Sequence, residues 1–343
     1  MSGLLIETAA KVNLCLRVLG RRADGYHEVE TVLHSVGVWD RLRLDDTDSS
    51  AITVTVAAGE VPPLDSARGG FSLAGGDPEL AEGPPVESAR SGARPSEVQI
   101  PEGEANLCWQ AAALLAERAG VKRGAAIVLE KGIPARSGLG GGSSDAAATL
   151  LGLVRLWDLH LRPEELEAVA AEVGADVPFF LRGGCCLARG MGERLTPCPE
   201  LSAWLVLVAP ERGVPTGQAY AALRRGATLG RRRAQSRPIK RLLEALKTGE
   251  ITSVAAALHN DFEAAKIAGV EEALRAKAEL LAAGCLGAGM SGSGSAVFGI
   301  ARDLPHAEEV VAQLRPNWPW VAAAPTLGAG HHLTITGAVE NHA

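Results

Sequence analysis

From Pro134 to Thr149 the chain reads Pro-Ala-Arg-Ser-Gly-Leu-Gly-Gly-Gly-Ser-Ser-Asp-Ala-Ala-Ala-Thr, a glycine loop that runs straight into a helix start. Few short stretches constrain a fold more. Gly138, Gly140, Gly141 and Gly142 allow positive φ and let the backbone approach a ligand with no Cβ in the way. Ser143, Ser144 and Asp145 are favoured N-cap types and the alanines after them favour helix, so the cap is expected there, with free N–H groups and the positive helix end facing the loop. Such an arrangement holds an anion. Four glycines with two hydroxyls also exceed what a plain capped turn needs.

Around this loop the pattern is mixed. Imperfect alternation over 4–19 puts Ile6, Val12, Leu14, Leu16 and Val18 on one face of a strand, with Lys11 and Asn13 in phase with each other. A turn at 21–25 leads to an extended stretch over 26–34, and a strand pair is expected at 41–44 and 52–56. From 57 to about 96 the composition shifts to Gly, Pro, Ala, Ser and acidic residues without a period; 59–94 reads as an inserted loop. A helix over 105–119, a strand over 125–130 and helices to about 157 and from Pro163 follow. The second half alternates strands (185–188, 204–209, 295–300) with helices (218–224, 241–246, 271–283). The class is α+β, and 343 residues suffice for two cores, assigned to domains 1–155 and 156–335.

Several functions are excluded. A formal net charge of -6 gives no general attraction to nucleic acid or acidic membranes, and the basic stretch 224–241 reads as a solvated surface segment. The six cysteines show no Cys-x-x-Cys or zinc-ligand spacing, so reduced thiols and no protein metal cage are expected. The longest apolar run, 203–209, is far short of the roughly 20 residues of a membrane span. With no signal-peptide pattern, a cytoplasmic protein is expected. Gly287-Ala-Gly-Met-Ser-Gly292 satisfies a dinucleotide fingerprint, but a helical pattern precedes it and a strand follows, the reverse of what that site requires. The Pro134 loop lacks the ending of a Walker loop, and no Gly-x-Ser-x-Gly elbow occurs.

What remains are Lys11 and Asn13 on the first strand, the glycine loop, Met290-Ser-Gly-Ser-Gly294 before a late strand, and Asp176 within Gly174-Ala-Asp-Val-Pro178. In this order the set resembles the GHMP kinase superfamily, whose members phosphorylate small metabolites with ATP. Ala10–Leu14 matches its first motif, Pro134–Ala147 its phosphate loop and Gly289–Ser295 its third motif. Within it, Arg22-Ala-Asp-Gly-Tyr-His-Glu-Val-Glu-Thr31 and Gly174–Phe180 resemble the branch acting on a cytidine-diphosphate-linked methylerythritol in the non-mevalonate isoprenoid route.

The resemblance covers about residues 9–300 and implies an N-terminal ATP domain, a ferredoxin-like C-terminal domain and an active site between them. ATP would be a substrate, accompanied by Mg²⁺. Asp176 would face the accepting hydroxyl, with Lys11 as its partner. Pro134, Ala135, Arg136, Ser137, Gly138, Leu139, Gly140, Gly141, Gly142, Ser143 and Ser144 would hold the ATP phosphates. Asn13, Tyr26 and His27 would surround the cytidine diphosphate, Tyr26 stacking on cytosine and His27 hydrogen-bonding to it, with Ser291, Gly292 and Ser293 also on the substrate side. Leu187 stands where relatives often place a second aromatic, and would offer an apolar wall without a ring. The resemblance gives no role to the insertion and no oligomeric state. A homoserine or mevalonate kinase would have no use for Tyr26-His27; a non-catalytic nucleotide binder would have none for Lys11 and Asp176.

Overall fold

The computed structural model describes residues 3–57, 100–226 and 237–337. The insertion expected at 59–94 and most of the basic stretch 224–241 lie outside the described residues.

Two long antiparallel strands form the spine, β1 (Gly3–Arg21) and β2 (His27–Thr47). The short strand expected at 41–44 is the far end of β2. It does not pair with β3 (Ile52–Val56), because β1 takes one edge of that end and β4 (Gly124–Glu130) takes the other. β3 therefore adds parallel to β4. The near end of β2 pairs with β5 (Cys185–Gly190), which continues into β6 (Arg194–Pro197). β7 (Trp204–Ala209), β9 (Gly287–Met290), β10 (Val297–Ile300), β11 (Trp320–Leu327) and β12 (Leu333–Thr336) complete a continuous path, β12-β1-β2-β11-β7-β10-β9. The dinucleotide-like glycines lie in β9 and the turn to its antiparallel neighbour β10, with no helix after them.

On one face of the spine lie α1 (Leu107–Ala119), α2 (Gly141–Leu156), α3 (Pro163–Val173) and α4 (Val177–Arg182). Asn106 caps α1 by accepting the Cys108 N–H at 2.8 Å, so that helix starts two residues later than expected. The sequence pattern gives no element at α4; its six residues are too few for a period, and burial of Phe179 and Phe180 holds it in place. Ile6, Leu44, Ile127, Leu153 and both phenylalanines share one core, together with Leu166 of α3 and Ile335 of β12. That core draws on both sides of residue 155. Each Leu or Phe so buried contributes about 1.5–3 kcal/mol relative to exposure, which is what keeps helices and sheet together.

β1 has a gap in its outer edge. β12 pairs with it only through Thr8, and the short parallel strand β8 (His259–Asn260) only from Cys15. Between them the free N–H groups are taken by loops: Ala9 donates to the His332 carbonyl at 2.8 Å and Lys11 to the Leu139 carbonyl at 2.9 Å. The glycine loop thus docks where the sheet has no strand to offer.

His332 closes the upper end of this gap. Its Nε2 lies 3.0 Å from the Phe180 carbonyl, which can only accept, so the neutral Nε2–H tautomer is required. Burial pushes its pKa down to about 4. The unfolded chain, titrating near 6.5, binds a proton the folded state rejects between those values, so the contribution is complete above pH 6.5 and is lost as pH falls. Urea titrations at successive pH values should show stability dropping by up to ~1.4 kcal/mol per pH unit from this residue between pH 6.5 and 4. His332→Gln should flatten that slope by about one proton; an unchanged slope would show that His332 is not the titrating group.

Candidate active site

Gly140 sits at φ +80° as the N-cap of α2, three residues ahead of the cap expected at 143–145. No other residue fits, since a Cβ there would lie 2.7 Å from the Phe180 ring and 3.0 Å from Lys11. The first helical rung is Ser144 N–H to the Gly140 carbonyl, 2.9 Å. The amides of Gly141, Gly142 and Ser143 precede it, and all three residues border a cavity of about 620 Å³. Pro134, Ala135, Arg136, Ser137, Gly138 and Gly140 border the same cavity. Leu139 and Ser144 do not. Leu139 is buried in the core. The fully buried Ser144 hydroxyl donates to the Ala9 carbonyl at 2.7 Å and meets Thr8 Oγ1. These two residues fasten the loop to β1, which corrects the expectation that they hold phosphates.

The late loop presses against the first. At Gly138, φ +89°, a Cβ would fall 2.3 Å from the Ser291 carbonyl oxygen. Ser291, itself fully buried, donates its hydroxyl to the Gly138 carbonyl at 2.9 Å, and Ala296 N–H reaches the Ser137 carbonyl at 2.8 Å. Ser291 is therefore a tie between loops rather than a substrate contact, while Gly292 and Ser293 do reach the cavity.

Asn13 lies at the crossing. Its Oδ1 accepts from Lys11 Nζ at 2.7 Å and from Gly292 N–H at 2.7 Å, with the Ser291 hydroxyl oxygen 3.3 Å away, and its amide nitrogen donates to Thr31 Oγ1 at 2.8 Å. Lys11 is buried, with Asp176 Oδ2 3.7 Å away and 37% exposed. Burial lowers the Lys11 pKa and the Asp176 charge works against that. Asp176 is the N-cap of α4, but its side chain makes no capping bond, which leaves the carboxylate to the cavity.

The residues expected around the cytidine lie in different places. Tyr26 is 63% exposed in the β1–β2 turn and does not border the cavity. Leu187 is a core residue opposite Val32 on β2 and offers no wall either. The ring at the cavity is Tyr220 of α5 (Thr216–Gly226), which stacks on His27 with centroids 4.1 Å apart and meets Phe262 edge-on at 4.9 Å. Burial, then the nearby Asp176 charge, pushes the Tyr220 phenol up to about 12. His27 supports this ring from behind, rather than bordering the cavity itself.

A second charged group escaped sequence reading because residues 40, 131 and 145 share no local spacing. Lys131 bridges the carboxylates of Asp40 and Asp145, and Asp40 Oδ1 accepts the N–H groups of Gly132 and Ile133 at 2.8 and 2.9 Å. Lys131 and Asp145 border the cavity. Burial, then the Asp40 charge, raises the Asp145 pKa well above the carboxylate range; burial opposes the Lys131 charge, but the two carboxylates outweigh it and raise its pKa.

Comparison with known proteins places the chain in a family. Family models described as GHMP kinases N terminal domain and GHMP kinases C terminal match residues 106–184 and 242–319. A protein of Pelotomaculum thermopropionicum named 4-diphosphocytidyl-2-C-methyl-D-erythritol kinase is 41% identical over 89% of this chain and 92% of its own. The chain belongs to the GHMP kinases. A Moorella thermoacetica relative of the same name is 37% identical over 95% of this chain and 100% of its own. A crystal structure of 4-(cytidine 5'-diphospho)-2C-methyl-D-erythritol kinase matches this kinase with TM-score 0.67 and 34% identity, covering 95% of this chain and 99% of the other. A homoserine kinase from Cytophaga hutchinsonii, at TM-score 0.70 and 18% identity over 97% of each chain, shares the fold.

Asn13 gives the sharpest test of this geometry. In Asn13→Ala the buried Lys11 ammonium and the Gly292 N–H both lose their acceptor, a loss worth about 1–3 kcal/mol of stability in urea denaturation. A variant as stable as the parent would show that the loops are held together elsewhere.

Proposed function

We propose that this GHMP kinase transfers the γ-phosphoryl group of ATP to the tertiary 2-hydroxyl of 4-diphosphocytidyl-2-C-methyl-D-erythritol. The observation that carries the proposal is one cavity bordered by a helix N-terminus, the Lys11–Asp176 pair and the Tyr220 ring. These supply a seat for phosphate, a charged pair for the acceptor hydroxyl and a flat apolar surface for a base.

Phosphoryl transfer needs positioning and charge neutralisation more than covalent help. The amides of Gly141, Gly142 and Ser143, at the positive end of α2, bind phosphate oxygens. Asp176 accepts a hydrogen bond from the acceptor hydroxyl, orients its oxygen toward phosphorus and takes the proton as the new P–O bond forms and the bond to ADP breaks. Lys11, held by Asn13, keeps a positive charge beside the transferring group. Among the described residues no group of three His, Cys, Asp or Glu could hold a metal. Mg²⁺ needs no such cage, since it binds through one or two carboxylates together with substrate phosphates. The Ser143 hydroxyl and the Asp145 carboxylate at the cavity fit that role. When bound, the ion neutralises phosphate charge. The proposed setting is the cytoplasm, where ATP is available; no helix among the described residues is long and apolar enough to cross a membrane.

A coupled ADP-release assay over a panel of acceptors tests the assignment. The cytidine diphosphate compound should turn over, with homoserine, mevalonate and the methylerythritol phosphate lacking cytidine far behind; equal turnover of the last would remove the base from the specificity. Asp176→Asn should lower kcat by about 10²- to 10⁴-fold with substrate KM within a few fold. Near-normal turnover would return Asp176 to a turn-shaping role ahead of Pro178.

The base site makes a separate claim. Tyr220→Ala should cost about 1–3 kcal/mol in kcat/KM for the cytidine substrate, the scale of a base stacked on an aromatic ring, with ATP KM nearly unchanged. The exposed Tyr26→Ala should cost less. If Tyr26→Ala proves the more damaging variant, the turn closes over the base and Tyr220 is secondary.

A further inference from the structure

The register of the β5–β6 hairpin sets Cys186 opposite Pro197. One residue further along, Cys185 faces Cys198, and the Cys198 N–H donates to the Cys185 carbonyl at 2.8 Å. Directly opposed residues in antiparallel strands have Cα atoms about 4.5–5.5 Å apart, within the roughly 4.4–6.8 Å a disulfide spans. The side chains also share a side. Cys185 belongs to the core against which Cys198 packs, whereas Cys186 belongs to the core on the other face of the sheet, as strand alternation requires. Of the six cysteines, Cys198 is partly exposed and the other five are buried. None of this is used by the phosphoryl-transfer site.

We propose that Cys198 and Cys185 form a peroxide-responsive pair, in which a hydroperoxide oxidises Cys198 and Cys185 resolves it to an intramolecular disulfide. The Cys198 sulfur, as thiolate, attacks one peroxide oxygen. The O–O bond breaks, that oxygen stays on sulfur as a sulfenic acid and the other leaves as water or alcohol. The Cys185 sulfur then attacks Cys198, the S–S bond forms, the S–O bond breaks, and the departing oxygen leaves as water with the Cys185 proton. Two thiols are oxidised by two electrons and one peroxide is reduced. The local environment assists the first step: the hydrogen bond with the Cys185 thiol, and the Arg189 charge, lower the Cys198 pKa despite partial burial. Reactivity of this kind follows thiolate character and access, which the five buried thiols lack.

The test uses the whole folded chain with about one equivalent of hydrogen peroxide, then denaturation in excess N-ethylmaleimide and mass spectrometry. The expected result is two fewer maleimide adducts, a tryptic cross-link between residues 183–189 and 195–212, and recovery of both adducts with dithiothreitol. Because 183–189 contains both Cys185 and Cys186, the Cys186→Ser variant is run in parallel and should still cross-link. Cys198→Ser should abolish the link. Cys185→Ser should leave a sulfenic acid at residue 198 that dimedone captures; if that buried variant fails to fold, the parent and Cys186→Ser cross-links decide. An unchanged adduct count in the parent, a link lost in Cys186→Ser, or over-oxidised Cys198 beside a free Cys185 would each overturn the proposal.

Discussion

One carboxamide oxygen holds the site together. Asn13 Oδ1 takes donors from its own strand and from a backbone amide of the late loop, the latter more than 270 residues away in sequence. Such an acceptor is valuable because it is buried: each donor would otherwise lose water without replacement. The geometry of the charged pair follows from it. Lys11 is fixed at 2.7 Å by Asn13 and stands 3.7 Å from Asp176, so the amide and not the carboxylate decides where the ammonium sits. Asp176 thereby keeps lone pairs for a hydroxyl.

The same strand explains why the phosphate loop lies where it does. β1 is paired on its outer edge by β12 at one end and β8 at the other, and the stretch between offers N–H groups with no strand to receive them. The loop carbonyl at Leu139 and the Ser144 hydroxyl fill that stretch. Residues that looked like ligand contacts in the sequence thus secure the loop to the sheet, and the glycines between them are left free to face the cavity. Gly140 then permits α2 to start three residues earlier than the serines suggested, which makes Gly141, Gly142 and Ser143 the residues whose amides are left free of the helix ladder.

What could be read in advance follows from range. The glycine loop, Lys11, Asn13 and Asp176 are local patterns with local meaning, and all but Leu139 and Ser144 of the loop border the cavity. The helix after Asp176 was missed because two buried phenylalanines, not periodicity, define it. Tyr220 was missed because a tyrosine on an amphipathic helix reads as ordinary packing; only the tertiary stack with His27 distinguishes it. Where Tyr26 and Leu187 would lie could not be read in the same way, since a motif gives a residue's identity and not where its side chain goes: Tyr26 is exposed in the β1–β2 turn and Leu187 is buried in the sheet.

The two buried lysines are solved in opposite ways. Lys11 has one half-exposed carboxylate at a distance and an amide close by, so burial prevails and its pKa falls. Lys131 has two buried carboxylates in direct contact, so their charges prevail and its pKa rises. The consequence reaches the cavity wall beside the glycine loop. A bare carboxylate beside a triphosphate would repel it, yet Asp145 borders that wall with its pKa raised and Lys131 against it. Formal charges of Asp40, Lys131 and Asp145 sum to one negative, and either a shared proton or an incoming cation cancels it. Under the proposed reaction, a triphosphate arriving with a divalent ion would meet that requirement, whereas a free triphosphate would not, because at low dielectric like charges this close cannot both remain uncompensated.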